Sequence, residues 1–340
     1  MAIKHNQLLE ISMRAIITGI SHYVPESKLT NKYFEQRLET SDEWIVSRTG
    51  IKERHILDKE KGVSFMAVKA AENLLEQRGI TADELDLLII ATTTPDMMFP
   101  STASIVQDEI NAVNCWGYDM VAGCSGFLSA LATASQFIET GRHKKVMVIG
   151  TDKMSSILDY QDRNTCILFG DAAGAVLLEP TDDNELGIKD YSIHLDGSGG
   201  KYLNMPAGGS LLPATVETVD KRLHFLHQDG KTVFKFAVMR MADISKKVLE
   251  KNGLSNEDLK FYIPHQANAR IIDSVGKKIG LTEDQVVKNI EKYGNTTAAT
   301  IPLAMSEVFH EGRLNKGDWV MLSAFGTGFM WGSLLLKWAI

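Results

Sequence analysis

Cysteine is scarce: three residues, at 115, 124 and 166, with no Cys-x-x-Cys pair. So odd and sparse a set excludes a disulfide framework and a thiolate zinc site, and reads as reduced thiols in a cytoplasm. The nine histidines show no His-Glu-x-x-His or other ligand spacing, so metal chemistry is not expected. No apolar run approaches the roughly 18–20 residues that span a bilayer. The opening stretch carries Lys4, Glu10 and Arg14, which excludes a clean signal-peptide core. Cations are in deficit: Lys+Arg 36 against Asp+Glu 43 gives a formal charge of −7. That balance argues against broad nucleic-acid binding, which needs a strongly positive face. No Pro/Ser-rich linker divides the 340 residues either.

What is present is a folded-protein composition, 44% hydrophobic and 23% charged. Apolar strand candidates at Ala15–Ile20, Leu85–Ala91, Val146–Gly150, Ala175–Glu179, Phe261–Pro264 and Val320–Ala324 alternate with helical patterns. Those patterns cover Val63–Arg78, Phe127–Thr140, Val233–Asn252, Ala269–Ile279 and Ala298–His310. Such alternation predicts an α/β protein with parallel or mixed sheets covered on both faces. The softest boundary is the polar stretch Thr181–Glu185. Residues 13–183 and 184–340 are therefore expected as two halves. Residues 1–12 read as a loose extension, with Met13 as an alternative start.

The halves resemble each other. Residues 80–87 and 254–261 run alike from an acidic helix end into an apolar strand, at an offset of 174; residues 137–142 and 308–313 repeat at 171. The second offset pairs Cys124 with Asn295, each before a helix. Two related halves meeting about a pseudo-dyad would bring both helix starts together.

Cys124 is the candidate nucleophile. It stands in Asp119-Met-Val-Ala-Gly-Cys-Ser-Gly-Phe-Leu, where a strand end passes through small residues into a helix. A thiol at a helix N-terminus is expected to have a lowered pKa. A lone cysteine is more often a small buried residue, and Cys115 and Cys166 are read that way. A nucleophilic cysteine needs partners. His265 directly follows the strand Phe261–Pro264, at a sheet edge where α/β proteins place ligands. Asn295 occupies a small-residue helix entry, where a simple cap is the competing reading. The Gly-rich run Phe325-Gly-Thr-Gly-Phe-Met-Trp-Gly offers backbone N–H groups to an anion, or is a plain tight turn.

Five motifs then occur in order: Thr40-Ser-Asp-Glu-Trp-Ile-Val-Ser-Arg-Thr-Gly-Ile, Ala122-Gly-Cys-Ser-Gly-Phe, Leu168-Phe-Gly-Asp-Ala-Ala-Gly-Ala, Pro264-His-Gln-Ala-Asn-Ala-Arg-Ile-Ile and Tyr293-Gly-Asn-Thr-Thr-Ala-Ala. Through them the chain resembles the beta-ketoacyl-acyl-carrier-protein synthase III family, from about Arg14 to Trp338. These are the initiating condensing enzymes of type II fatty acid synthesis, within the thiolase-like superfamily.

The resemblance implies a five-layered α-β-α-β-α sandwich of two duplicated halves, with a catalytic triad of Cys124, His265 and Asn295. It implies an acyltransferase that takes a primer acyl group from coenzyme A onto Cys124. Decarboxylative condensation with malonyl-acyl-carrier protein follows, giving a 3-oxoacyl product. The oxyanion donors would be the backbone N–H groups of Cys124 and Thr327. Many relatives have glycine at the Thr327 position, but threonine keeps the N–H. Contacts to coenzyme A and its pantetheine arm map onto Trp44, Arg48, Arg163, Gly230 and Asn268. The competing reading has Trp44 as packing, with Arg48 and Arg163 paired to Asp42, Glu43 or Asp162. Docking of an acidic carrier protein maps onto Lys235, Arg270, Lys277 and Lys278. Phe99, in the loop Pro95–Ser101, is expected to cross to a partner subunit's acyl pocket in a homodimer. No permanent cofactor is implied, and no nucleic acid or membrane partner. Two alternatives are a pathway-specific condensing relative of secondary metabolism and a non-catalytic carrier-binding partner. The primer acyl group is not legible.

Overall fold

The structure, a computed structural model, describes residues 13–340; the extension expected at 1–12 lies outside the described residues. Nine strands build two main sheets. The first sheet comes from β1 (Arg14–Tyr23), β2 (Leu87–Ala91), β3 (Trp116–Met120), β4 (Val146–Lys153) and β5 (Asp171–Thr181), in the order β1-β5-β4-β2-β3. The second comes from β6 (Gly187–Leu195), β7 (Leu259–Pro264), β8 (Trp319–Gly326) and β9 (Met330–Lys337), in the order β7-β8-β9-β6.

The same arrangement occurs twice. In the first sheet β2 and β4 are parallel, β4 and β5 antiparallel, and β5 and β1 antiparallel. In the second, β7 and β8 are parallel, and β8–β9 and β9–β6 antiparallel. The counterpart of the edge strand β3 is reduced to a single parallel bridge between Tyr262 and Val286.

Seven longer helices fill three layers: α1 (Asp42–Thr49), α2 (Val63–Arg78), α3 (Thr102–Glu109), α4 (Gly126–Glu139), α5 (Gly230–Lys251), α6 (Ala269–Ile279) and α7 (Thr300–His310). Helix α2 shows why they form. Its buried residues Val63, Met66, Ala67, Ala70, Ala71, Leu74 and Leu75 repeat at helical spacing, and Gly79 ends it at φ +62°.

Strand alternation distributes the core. Leu88 and Ile90 of β2 face α2 and α3, whereas Leu87 and Ile89 face α4 and α7. In the second sheet Phe261 and Ile263 of β7 face α4 and α7, and Tyr262 faces α5 and α6. Each sheet is therefore covered on both sides, with α4 and α7 between them. Each fully buried Leu or Ile in these layers contributes about 1.5–3 kcal/mol. The result is the five-layered α-β-α-β-α sandwich of duplicated halves.

The duplication corrects one sequence expectation. Short 3₁₀ turns precede both central helices, Gly123–Ser125 before α4 and Thr297–Ala299 before α7. They correspond at an offset of 174, which pairs Cys124 with Ala298 and puts Asn295 one turn earlier. The offset falls to 171 further on because α7 has 11 residues where α4 has 14. The two helix starts do meet: a Cβ on Gly126, the first residue of α4, would lie 3.7 Å from that of Ala298. Asp152 at the end of β4 bonds to Thr297 and to the Ala298 N–H, and Phe169 bridges to Asn295.

Candidate active site

A cavity of about 800 Å³ opens between the halves. Cys124, His265 and Asn295 all line it, and all are buried. Cys124 lies on the tight turn before α4. The turn needs glycine at 123, where φ is +52° and a Cβ would come within 2.1 Å of the Thr327 hydroxyl oxygen. Gly326 packs on the same turn: a Cβ there would be 2.8 Å from the Cys124 nitrogen. The β8 terminus thus lies directly against the thiol, and Thr327 also lines the cavity.

His265 leaves the end of β7, its backbone N–H donating to the Ser323 carbonyl at 2.8 Å. Its Nδ1 is 2.7 Å from the Thr300 hydroxyl oxygen. Burial pulls its pKa down to about 3, so the ring is neutral at physiological pH. Asn295 is oriented by the Thr297 N–H, which donates to its Oδ1 at 2.9 Å. The amide nitrogen is the end left to donate.

The thiol departs from expectation. Burial, reinforced by the charge of Asp152, pushes the Cys124 pKa up to about 12. Desolvation outweighs the helix terminus, so the cavity holds a neutral thiol and a neutral imidazole.

Asp152 was missed in the sequence. It follows the apolar run of β4, the same cue that singled out His265. Its Oδ1 accepts from the Thr93 N–H at 2.7 Å and from the hydroxyls of Thr92, Thr93 and Thr94 at 3.2, 2.9 and 3.1 Å. Its Oδ2 accepts from the Thr297 hydroxyl and, at 3.2 Å, from the Ala298 N–H. Thr93 and Thr297 line the cavity beside the thiol. Thr300 was missed as well, hidden in an ordinary small-residue helix start.

The remaining expected residues divide. Trp44, Arg48, Gly230, Asn268 and Arg270 line the cavity, with Arg48, Gly230 and Arg270 exposed at its open end. Asn268 is already engaged: it caps α6 through the Arg270 N–H at 2.9 Å and donates to the Arg48 carbonyl at 3.0 Å. Arg163 stands behind the wall, its guanidinium 5.2 Å from the Trp44 ring centre, and donates to the Glu39 carbonyl. Lys235, Lys277 and Lys278 are exposed outside the cavity. Among the described residues, none of Arg48, Arg163, Lys235, Arg270, Lys277 and Lys278 forms an ion pair with a carboxylate. The pairing of Arg48 and Arg163 with Asp42, Glu43 or Asp162 is therefore not found. Phe99 is 84% exposed, beside Met97 and Met98 at 50% and 79%. Cys115 and Cys166 are buried packing residues. No helix among the described residues is long and apolar enough to cross a membrane.

The chain is 52% identical over 328 residues to the beta-ketoacyl-[acyl-carrier-protein] synthase III of Chlorobaculum tepidum, spanning 96% of this chain and 100% of that one. It belongs to the beta-ketoacyl-[acyl-carrier-protein] synthase III family. The synthase III of Koribacter versatilis is 51% identical, over 96% of this chain and 98% of its own. Family models for 3-oxoacyl-[acyl-carrier-protein] synthase III match residues 118–197, and for its C-terminal part residues 249–338. Among solved structures, the 3-oxoacyl-[acyl-carrier-protein] synthase III of Aquifex aeolicus superposes with a TM-score of 0.88. It is 40% identical, over 95% of this chain and 100% of its own. The synthase III model boundaries include Cys124 in the first match and His265 and Asn295 in the second.

Proposed function

We propose that this enzyme starts type II fatty acid synthesis. It transfers a primer acyl group from coenzyme A to Cys124 and condenses it with malonyl-acyl-carrier protein. The observation that carries this reading is the convergence of Cys124, His265 and Asn295 on one cavity whose open end is cationic.

In the first half-reaction the Cys124 sulfur attacks the thioester carbonyl of the primer. The thiol proton ends on the departing coenzyme A sulfur, so atoms balance without a permanent base. The tetrahedral oxygen is held by the backbone N–H groups of Cys124 and Thr327, the two turns that pack on each other. Each such donor is worth about 3–4 kcal/mol. In the second, malonyl-acyl-carrier protein loses carbon dioxide, and charge develops on its thioester oxygen. His265 and the Asn295 amide nitrogen donate to that oxygen. The carbanion attacks the acyl carbon, and Cys124 leaves as the thiol after gaining a proton. Neutral donors suit this step, since a carboxylate in either place would repel the enolate.

Trp44 offers a face for adenine, with Arg163 stacked behind it and Arg48 beside it for phosphate. Gly230 and Asn268 border the path of the pantetheine arm. Lys235, Arg270, Lys277 and Lys278 dock the acidic carrier protein, a role supported by their lack of carboxylate partners. Residues 13–183 and 184–340 are the two halves. The enzyme works in the cytoplasm as a homodimer, with Phe99 reaching the partner's acyl pocket. The exposed Met97-Met98-Phe99 run supports this, because such a patch is a liability in a solitary chain.

The test is product formation from a panel of acyl-CoAs, acetyl to octanoyl, each with malonyl-carrier protein. The reading expects a 3-oxoacyl-carrier product and one equivalent of carbon dioxide from at least one primer. Turnover only with other acceptors would assign the enzyme to a secondary pathway.

A further inference from the structure

Arg54, in the short strand Glu53–His55, is fully buried. Among the described residues it forms no ion pair with a carboxylate. A buried charge without a counterion is costly, and an apolar side chain of similar volume is often the more stable choice. Burial pulls the Arg54 pKa down to about 10, so the guanidinium stays charged at physiological pH. What the charge does is bind oxygens. Nη1 donates to Asn31 Oδ1 at 2.8 Å and to the Leu29 carbonyl at 3.2 Å, and Nη2 donates to the Ile167 carbonyl. Phe34 closes one face, its ring centre 4.7 Å from the guanidinium carbon.

One side of that fork is firmly held. Asn31 donates to the Ile51 carbonyl and to Asp42, each at 2.8 Å. The other side leads to the active site. Residues 167–169 line the cavity, and their segment holds the Asn295 backbone at both of its polar groups. The Asn295 N–H donates to the Leu168 carbonyl at 2.8 Å, and the Asn295 carbonyl accepts from the Gly170 N–H at 3.1 Å. The Arg54 stem lies against both partners of this pairing. A Cβ at Gly170 would come within 3.1 Å of the Arg54 Cβ, and one at Gly294 within 3.4 Å. The motifs beginning at Leu168 and Tyr293 therefore meet on one arginine.

We infer that Arg54 is a positioning residue for Asn295: its fork ties the Ile167 carbonyl to Asn31 and Leu29, and so sets the segment on which the Asn295 backbone hangs. The Thr297 N–H orients the Asn295 amide, and Arg54 sets where the residue stands. Arg54 is not part of the cavity wall and acts on substrate only through Asn295. The inference rests on the reading of Asn295 as a donor to the enolate oxygen. It makes Arg54 matter to condensation and not to acyl transfer onto Cys124, whose oxyanion donors lie on other turns.

The test is a double-mutant cycle in the full-length enzyme, with Arg54→Met and Asn295→Ala alone and combined. Acyl loading of Cys124 is read at saturating primer acyl-CoA, and condensation as kcat with malonyl-carrier protein. Arg54→Met is expected to lower condensation by a factor on the order of 10 or more and loading by less than about threefold. In the Asn295→Ala background it should cost less than about twofold more, because the residue it positions is gone. Arg54→Lys keeps the charge and the stem but not the planar fork, and should show the same selective loss to a smaller degree. Where Arg54→Met does not fold, Arg54→Lys takes its place in the cycle. Equal loss of both half-reactions, wild-type condensation by the variant in the cycle, or its full loss repeated in the Asn295→Ala background overturns the inference. If Asn295→Ala itself condenses as wild type, the donor reading of Asn295 falls, and this inference with it.

Discussion

Asp152, at the end of a strand of the first half, accepts a hydrogen bond from the hydroxyl of Thr297 in the second. Thr297 is a β-branched residue at φ +49°, a conformation that costs of the order of 1–3 kcal/mol and persists only where its surroundings enforce it. The carboxylate enforces it, and the Thr297 N–H in turn fixes the Asn295 amide. One buried acid therefore holds Asn295, the asparagine of the proposed triad, across the interface between halves.

Asp152→Asn puts an NH₂ where one of two fully used acceptor oxygens stood. Either orientation leaves a buried backbone N–H, that of Thr93 or that of Ala298, facing a donor, while the threonine hydroxyls can turn to accept. Urea unfolding should show a loss on the order of 2–3 kcal/mol. The same change removes a negative charge beside Cys124, so alkylation by iodoacetamide at pH 8 should become faster. Unchanged stability with slower alkylation would count against the account.

His265 contributes a pH dependence of defined sign. Its ring takes a proton near pH 6.5 when unfolded but only near pH 3 when native. Between those values the unfolded chain binds the extra proton, so stability falls as pH drops through 6.5 and this loss ends near 3. From pH 7 to pH 5 the loss is about 2 kcal/mol. Urea midpoints of His265→Gln should lose that much less over the same interval. His22 and His55, whose pKa values burial also lowers, remain in both proteins and cancel in the comparison. Equal pH slopes would show that the native ring protonates normally.

Charge reversal at Lys277 and Lys278 should raise KM for malonyl-carrier protein and leave primer transacylation nearly intact. Both lie in the last turn of α6, exposed and outside the cavity. Long-range attraction to an acidic carrier acts on encounter and weakens with salt. Steady-state kinetics of both half-reactions checks this. Equal damage to both would make the lysines structural.

Sedimentation at micromolar concentration should give a dimer. The edge strand β3 supports that expectation, with Trp116 49% exposed and Val121 beyond it 76% exposed. A monomer would remove the proposed role of Phe99.

The layered fold was legible because its central elements are strongly patterned. Val63–Arg78 and Ala269–Ile279 coincide with the helices found, and the strands β2, β4 and β7 read as short apolar runs. The strands β3, β6 and β9 were not. Trp116–Met120 and Gly187–Leu195 are edge strands with half-exposed faces, and Met330–Lys337 carries a Gly-Ser pair, Gly332-Ser333, near its start. The proposed triad was read from the motifs around Cys124, His265 and Asn295, and the structure brings these three residues to one cavity. The depth of burial was not, so a lowered thiol pKa was expected where desolvation raises it. Asp152 and Thr300 were hidden because their work depends on contacts 145 and 35 residues away in sequence.

The most direct test of the division of labour is intact-protein mass spectrometry with labelled acetyl-CoA, run beside a malonyl-carrier product assay. Cys124→Ser should carry no acyl group, since serine lacks the thiol's nucleophilicity and the account assigns it no general base. His265→Ala and Asn295→Ala should still load, though slowly, while condensation falls by a factor on the order of 10² or more. Failure of His265→Ala to load would make histidine the base of the thiol, and label on another residue of Cys124→Ser would contradict the nucleophile itself.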